Sequence, residues 1–437
     1  MSSFDLFLDL ALIFFLLLTI LNYWMHRSVL YPPFIFCTMW LLDLAVFRSG
    51  LIEVDPVHAN TLAIVGAGAV SFSAGGLLAG LVPRELLRIH FFSPKPEKSP
   101  VFLRNMIIIA LLCGLPVLFY QTWQLSRSVG GDINIFAKAG IASVEARQSG
   151  EPITSFSDHF RPLAIVACLL FATEKRDRQF RIMTVVALIY ACFGGGRGGI
   201  LILISGLSAI HLLQTKQECM KRAMRFLRWP ITIFFVLFIG MNFILKSSEG
   251  MTQQIATRGA VGLSTYFVLS YIVGPLAAFD KVVQNPADFI TATNHTFYFP
   301  LHIAAMLHLA KYNPPPTFDS WVYVPYPMNV YTIFKFYYLE LGIFGTLALL
   351  FVVGILHSLI YLKAKQGGRL STYLFAYSLI TVITVVSDDG YYYVGEILRV
   401  FAVGLLYILV GSMRLRLLPT IKVRGQSKNP HLNGASC

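Results

Sequence analysis

The chain has 437 residues, of which 56% are hydrophobic and 13% charged, with a formal net charge of +13. A soluble domain carries about 25% charged residues. Half that share excludes an ordinary soluble enzyme, and the excess of positive charge is a matter of loop distribution rather than of nucleic-acid binding.

Apolar runs of helix length fall at 4–25, 29–47, 57–80, 102–120, 160–173, 182–195, 199–213, 229–245, 334–361, 370–387 and 396–412. A helix needs about 20 residues to cross a hydrocarbon core of about 30 Å. The first run, Phe4 to Met25, has no basic region before it and no small-residue cleavage site after it, so it is expected to be a span rather than a cleaved leader. The runs at 160–173, 182–195 and 199–213 are short. Six cysteines are present and none forms a CxxC pair, so neither a disulfide framework nor a zinc site is expected.

If every run crosses once, six connections fall on one side: Arg27; Arg84 to Arg104; Lys175 to Arg181; Lys216 to Arg228; Lys363 to Arg369; and the tail from Arg414. Together they hold 23 of the 35 basic residues and five acids, Glu85, Glu97, Glu174, Asp177 and Glu218. The other side holds 12 basic and 17 acidic residues. By the positive-inside rule the basic side is cytoplasmic. The expected fold is therefore an all-α polytopic membrane protein of about eleven transmembrane helices, with the N-terminus outside and the C-terminus inside.

Residues 1–421 are expected to form one transmembrane domain, and 422–437 a polar cytoplasmic tail. Two sizeable outer loops run about 121–159 and 246–333. The second is too long for a bare connector. It contains an apolar stretch, Leu263 to Phe279, interrupted by Gly274-Pro275. A crossing there would reverse every later loop, so this stretch is expected to be amphipathic or re-entrant at the outer surface.

The sharpest local motif is Gly194-Gly195-Gly196-Arg197-Gly198-Gly199, between two apolar runs at their outer ends. Glycines let a ligand approach the backbone. An arginine offers a fork of donors that fits phosphate. The competing reading is a tight hairpin whose arginine snorkels to the interface. Arg147, Arg161 and Arg258 lie on the same outer side, as does Arg127, which reads as ordinary loop charge. Candidate general bases there are Glu145, Asp158, Glu249, His295, Asp319, Asp388 and Asp389. His295 has an ordinary pKa near working pH, against the alternative of a solvated loop side chain. Asp388 and Asp389 lack a third spaced oxygen ligand, so no metal is expected. The adjoining Tyr391-Tyr392-Tyr393 suits sugar-ring stacking, although an interfacial aromatic belt explains it as well, together with most of Tyr323, Tyr326, Tyr331, Tyr337 and Tyr338. Asp9 and Asp43 lie within spans, with no role assigned.

The stretch Asn329-Val330-Tyr331-Thr332-Ile333-Phe334-Lys335-Phe336-Tyr337-Tyr338-Leu339-Glu340-Leu341-Gly342-Ile343-Phe344-Gly345 resembles the start of a span in bacterial O-antigen polymerases, the Wzy-type oligosaccharide repeat-unit polymerases. The run Gly195-Gly196-Arg197-Gly198-Gly199 resembles that family's arginine turn, with Gly196 where Ser or Thr is common. Glu340 stands where the family commonly has Asp. As architecture the resemblance covers most of the chain; as sequence it covers these two patches.

The resemblance implies a GT-C-like helical bundle in the bacterial inner membrane with its active site facing the periplasm. It implies a metal-independent glycosyltransferase without cofactor, which moves a growing glycan from undecaprenyl pyrophosphate to a new lipid-linked repeat unit. Its partners would be the lipid-linked donor and acceptor, membrane lipids and, as a further candidate, a chain-length regulator. On this reading Arg197, Arg147, Arg258 and Arg161 bind pyrophosphate or glycan with Asn329, Tyr331 and Tyr338, while His295 or Glu145 activates the acceptor hydroxyl. The alternatives are an O-antigen ligase, which takes the same donor to a different acceptor, and a lipid-linked glycan flippase or transporter. A flippase would show several charged residues inside spans and often repeat symmetry; here there are few charges and no repeat.

Overall fold

The computed structural model describes residues 3–83, 100–127, 138, 156–174, 176–193, 198–245, 249–289, 295–311, 320–387 and 400–410. These residues form α1 (Ser3–His26), α2 (Pro32–Ser49), α3 (Ala59–Gly80), α4 (Val101–Arg127), α5 (Phe156–Ala172), α6 (Arg178–Phe193), α7 (Gly198–Thr215), α8 (Met220–Leu245), α9 (Glu249–Gln284), α10 (Tyr298–Met306), α11 (Phe334–Lys365), α12 (Arg369–Ile383) and α13 (Val400–Val410). Among the described residues the departure from helix is a small ribbon, β1 (Val322–Tyr323) paired antiparallel with β2 (Pro327–Met328).

Six helices contain a stretch long and apolar enough to cross a membrane: α1, α3, α4, α7, α11 and Thr265–Gln284 of α9. Their outward faces are apolar. Leu17, Ile20, Ile109 and Leu356 are each more than half exposed. That inversion of a soluble surface fits a hydrocarbon solvent and makes the chain a mostly helical membrane protein. The runs expected at 160–173, 182–195 and 199–213 are the helices α5, α6 and α7, extended by up to four residues at their starts.

Between helices in lipid the driving force is close packing rather than transfer from water. The tightest pairing is α3 on α11. A Cβ added at Gly75 would run into the backbone of Phe351, and one at Gly354 into the backbone of Phe72, so small residues on both helices set the separation. The α1–α3, α9 and α11 side shares one core around Phe36, Trp40, Phe72, Phe279 and Phe334. Helices α4–α7 and α13 share a second core around Cys168, Phe171 and Tyr190. Helix α12 joins them, giving Tyr373 and Ala376 to the second core and Val382 to the first.

Hydrogen bonds gather five of the basic connections at one end of the bundle. Glu218 accepts from Ser28 at 2.6 Å and from Tyr361 at 2.6 Å, with Lys365 at 3.5 Å. Arg104 grips Asp177 with two bonds, at 2.6 and 2.9 Å, and Arg369 and Tyr407 both meet Glu174. All three described acids of those connections are thus engaged by hydroxyl or cationic groups. At the opposite end, Asp55 N–H donates to the Val324 carbonyl at 3.3 Å and Ile333 N–H to that of Val385 at 3.1 Å. Asp55, Val324 and Ile333 at this second end are residues that the sequence assigns to outer loops.

One expectation changes. The stretch from Leu263 to Phe279 is not interrupted at Gly274-Pro275: α9 runs through it as one helix. Gly274 lies against Met328 and Tyr326, where a side chain would collide, so the glycine serves a close approach rather than a break. Among the described cysteines, Cys37, Cys113, Cys168 and Cys192 are free thiols.

Candidate functional site at the second end of the bundle

The stretch that carries the family resemblance folds at the second end. Helix α11 is two helices joined at Gly342, whose φ of 65° and ψ of −174° lie in a region essentially confined to glycine. The short segment before it, 334–341, presents Lys335, Phe336, Tyr338 and Glu340. Phe336 and Glu340 are four apart and so share a face.

That face captures the loop before α10. The Glu340 carboxylate accepts the backbone N–H groups of His295 and Thr296, the latter at 2.8 Å. The His295 ring lies on the Phe336 ring at 3.5 Å between centroids, 5° from parallel. Burial and the neighbouring Lys335 cation lower the His295 pKa to about 3. The imidazole is therefore neutral at working pH. It is also a far weaker base than the ordinary value of 6.5 suggested, since little driving force remains for taking a proton.

Lys335 itself is missed by the sequence reading. It is 2% exposed, with its ammonium 3.6 Å from the Tyr331 ring centroid, 4.9 Å from that of Phe336 and 5.9 Å from that of Phe289. Rings placed around an ammonium in this way attract it through their faces. The signal was a single lysine within a run of aromatics at the head of a span.

A second polar cluster sits at the same end. Asp280, near the end of α9, is 3% exposed. Its Oδ1 accepts the backbone N–H of His58 at 2.9 Å and the hydroxyl of Thr61 at 2.6 Å, and its Oδ2 meets His58 Nδ1 at 2.8 Å. The His58 side chain is 62% exposed. Lys281 pairs with Asp55 at 2.7 Å beside it. The two clusters are linked through Phe279, whose ring meets Phe334 at 5.8 Å and Tyr338 at 6.0 Å. Asp280 is the one acid between 265 and 284 in the sequence, and an ionisable residue in an apolar helix is a functional candidate by default. Its partner in the connection between α2 and α3 carries no such signal.

The other expected residues fall as follows. Glu145, Arg147 and Arg197 lie outside the described residues, and for Arg258 only the helix backbone is described. Arg161 is half-buried in the second turn of α5. Tyr331 is 4% exposed, its ring against Lys335 and its hydroxyl donating to the Ser320 carbonyl at 2.9 Å, so it offers no open face to a sugar. Tyr338 and Asn329 are half-buried at the same end, Tyr338 edge-on to Phe279. Asp9 pairs with Arg48 at 2.7 Å. Asp43 is fully buried, and its two oxygens have no hydrogen-bond partner among the described residues. Those residues contain no group of three His, Cys, Asp or Glu placed to hold a metal.

Fold and site together define a helical membrane protein with two polar clusters gathered at one end of the bundle. Comparison with protein-family models, with curated proteins and with solved structures gives no match to this chain.

Proposed function

We propose that the protein is a membrane glycosyltransferase that polymerises undecaprenyl-pyrophosphate-linked repeat units into O-antigen or a related surface polysaccharide. On this reading the second end of the bundle faces the periplasm of a bacterial inner membrane, and the basic connections face the cytoplasm. The observation that carries it is the capture of the His295–Thr296 loop by Glu340. The stretch that resembles the polymerase family is thereby a built element at a bundle end, not just a lipid-facing span.

The chemistry asks for cations where the pyrophosphate leaves and for a base at the acceptor hydroxyl. Arg197, with Arg147 and Arg258 and with Arg161 at a span start, supplies the first without a metal, because guanidinium groups stabilise the charge that develops on the leaving oxygen. Neutral His295 accepts a hydrogen bond from the glycan rather than its proton. Tyr338 and Asn329 border the glycan, and grooves between the apolar helices hold the polyprenyl tails.

The test is Arg197→Ala in the native host, read as the lipopolysaccharide ladder on a gel. Polymerase function predicts core plus one repeat with no long chains. Loss of all O-antigen with normal polymer left on the carrier indicates a ligase instead. An unchanged ladder removes Arg197 from the mechanism.

A further inference from the structure

Building on the polymerase reading, we propose that His58, oriented by Asp280, is the general base that takes the proton from the acceptor hydroxyl. With the histidine donating from Nδ1 to Asp280 Oδ2 across the 2.8 Å contact, its ring proton sits on Nδ1. The Nε2 lone pair is then left for another donor. The side chain that carries it is 62% exposed, whereas the carboxylate behind it is 4% exposed. This is the division of labour in a carboxylate–histidine pair that abstracts protons: the buried acid orients the ring and stabilises the imidazolium, and the outer nitrogen does the chemistry. Asp280 is itself fixed by two further donors, the Thr61 hydroxyl and the His58 amide. A carboxylate held by three bonds keeps the ring direction set.

Position supports the role. His58 lies at the second end of the bundle, tied by Asp280 to the helix whose Phe279 packs on Phe334 and Tyr338. His295 does not compete for the task, being stacked on Phe336 and neighboured by the Lys335 cation.

In the transfer step the acceptor O–H proton passes to His58 Nε2 while the acceptor oxygen bonds to the anomeric carbon of the donor glycan. The bond from that carbon to the pyrophosphate oxygen breaks, and its electron pair leaves with undecaprenyl pyrophosphate. The imidazolium then returns its proton to water.

The competing reading is a latch that ties the α2–α3 connection to α9 and does no chemistry. His58→Asn separates the two. Asparagine keeps a side-chain N–H near the Nδ1 position and is a favoured residue at the helix N-cap that His58 occupies. It has no second nitrogen to act as a base. With purified protein and lipid-linked repeat units, His58→Asn is expected to keep wild-type yield and thermal midpoint. Its extension rate should fall about 10²- to 10⁴-fold, and the acid limb of the pH–rate profile should vanish. Asp280→Asn, which can donate to Nδ1 and reverse the tautomer, is expected to lose a comparable factor. Extension by His58→Asn within about tenfold of wild type overturns the inference and leaves the polymerase reading standing. A wild-type protein that extends nothing overturns both.

Discussion

Glu340 holds His295 by its backbone and leaves the ring to lie on Phe336, one helical turn before it. The loop before α10 is therefore fastened twice to the same face of a short helix, once by charge and once by stacking.

The carboxylate is the stronger fastening. A hydrogen bond to a charged group contributes roughly 1.5–3 kcal/mol. Glu340→Gln keeps one acceptor and is expected to lower the thermal midpoint of the detergent-solubilised protein; Glu340→Ala keeps none and should lower it further. Equal midpoints for wild type and Glu340→Ala would show that the clasp contributes nothing.

His295 gives a pH signature. Its folded pKa, about 3, lies below the ordinary 6.5, so the unfolded chain binds the extra proton first as pH falls. This contribution to stability is complete above pH 6.5 and is lost progressively between 6.5 and about 3. His295→Gln should flatten the stability–pH curve in that window, measured by denaturation at fixed temperature. A parallel curve would mean that the imidazole titrates alike in both states.

Gly342 is the hinge that frees 334–341 from the long span. With φ 65° and ψ −174° it occupies backbone space that other residues avoid, at a cost of roughly 1–3 kcal/mol. Gly342→Ala should lower the thermal midpoint and weaken glycan extension, because it pulls Glu340 off the 295–296 loop. Ile343→Ala, at an exposed side chain next to it, should do neither.

At the opposite end, Arg104 is 2% exposed and holds Asp177 while lying 3.7 Å from Glu174. Removing one partner of a buried pair costs roughly 3–5 kcal/mol. Arg104→Ala should therefore unfold more readily than Arg127→Ala, whose guanidinium rests on Trp123 at an exposed position. The hydrogen bond from Arg104 also holds the Asp177 carboxyl below its ordinary 3.8. Its share of stability is present above pH 3.8 and is lost as pH falls below it, so Asp177→Asn should blunt acid denaturation in that range.

The sequence carried the helices well because hydropathy is a local property that needs no partner. Even the short runs that frame Arg197 emerge as α5, α6 and α7. Described residues of five of the six basic connections meet at one end of the bundle, and their charge is legible for a similar reason: it repeats at every second turn. Helix α9 was read less well, since Gly274-Pro275 looks like a break until Met328 and Tyr326 are seen pressing on it. Of the second end, Glu340 and His295 were legible as an acid after aromatics and a loop histidine. Their relationship was not, and neither was the burial that makes His295 a poor base. The link from His58 to Asp280 spans 222 positions and follows no periodicity, so it emerges only when α3 and α9 are packed side by side.

The measurement that tests the central claim most directly is extension of undecaprenyl-pyrophosphate-linked repeat units by the purified, reconstituted protein, with and without a chelator. The account predicts a ladder of lengthening lipid-linked glycans that is unchanged by the chelator and absent for Arg197→Ala. Repeat units that cross the bilayer without lengthening, or that move only to a lipid A-core acceptor, would contradict it.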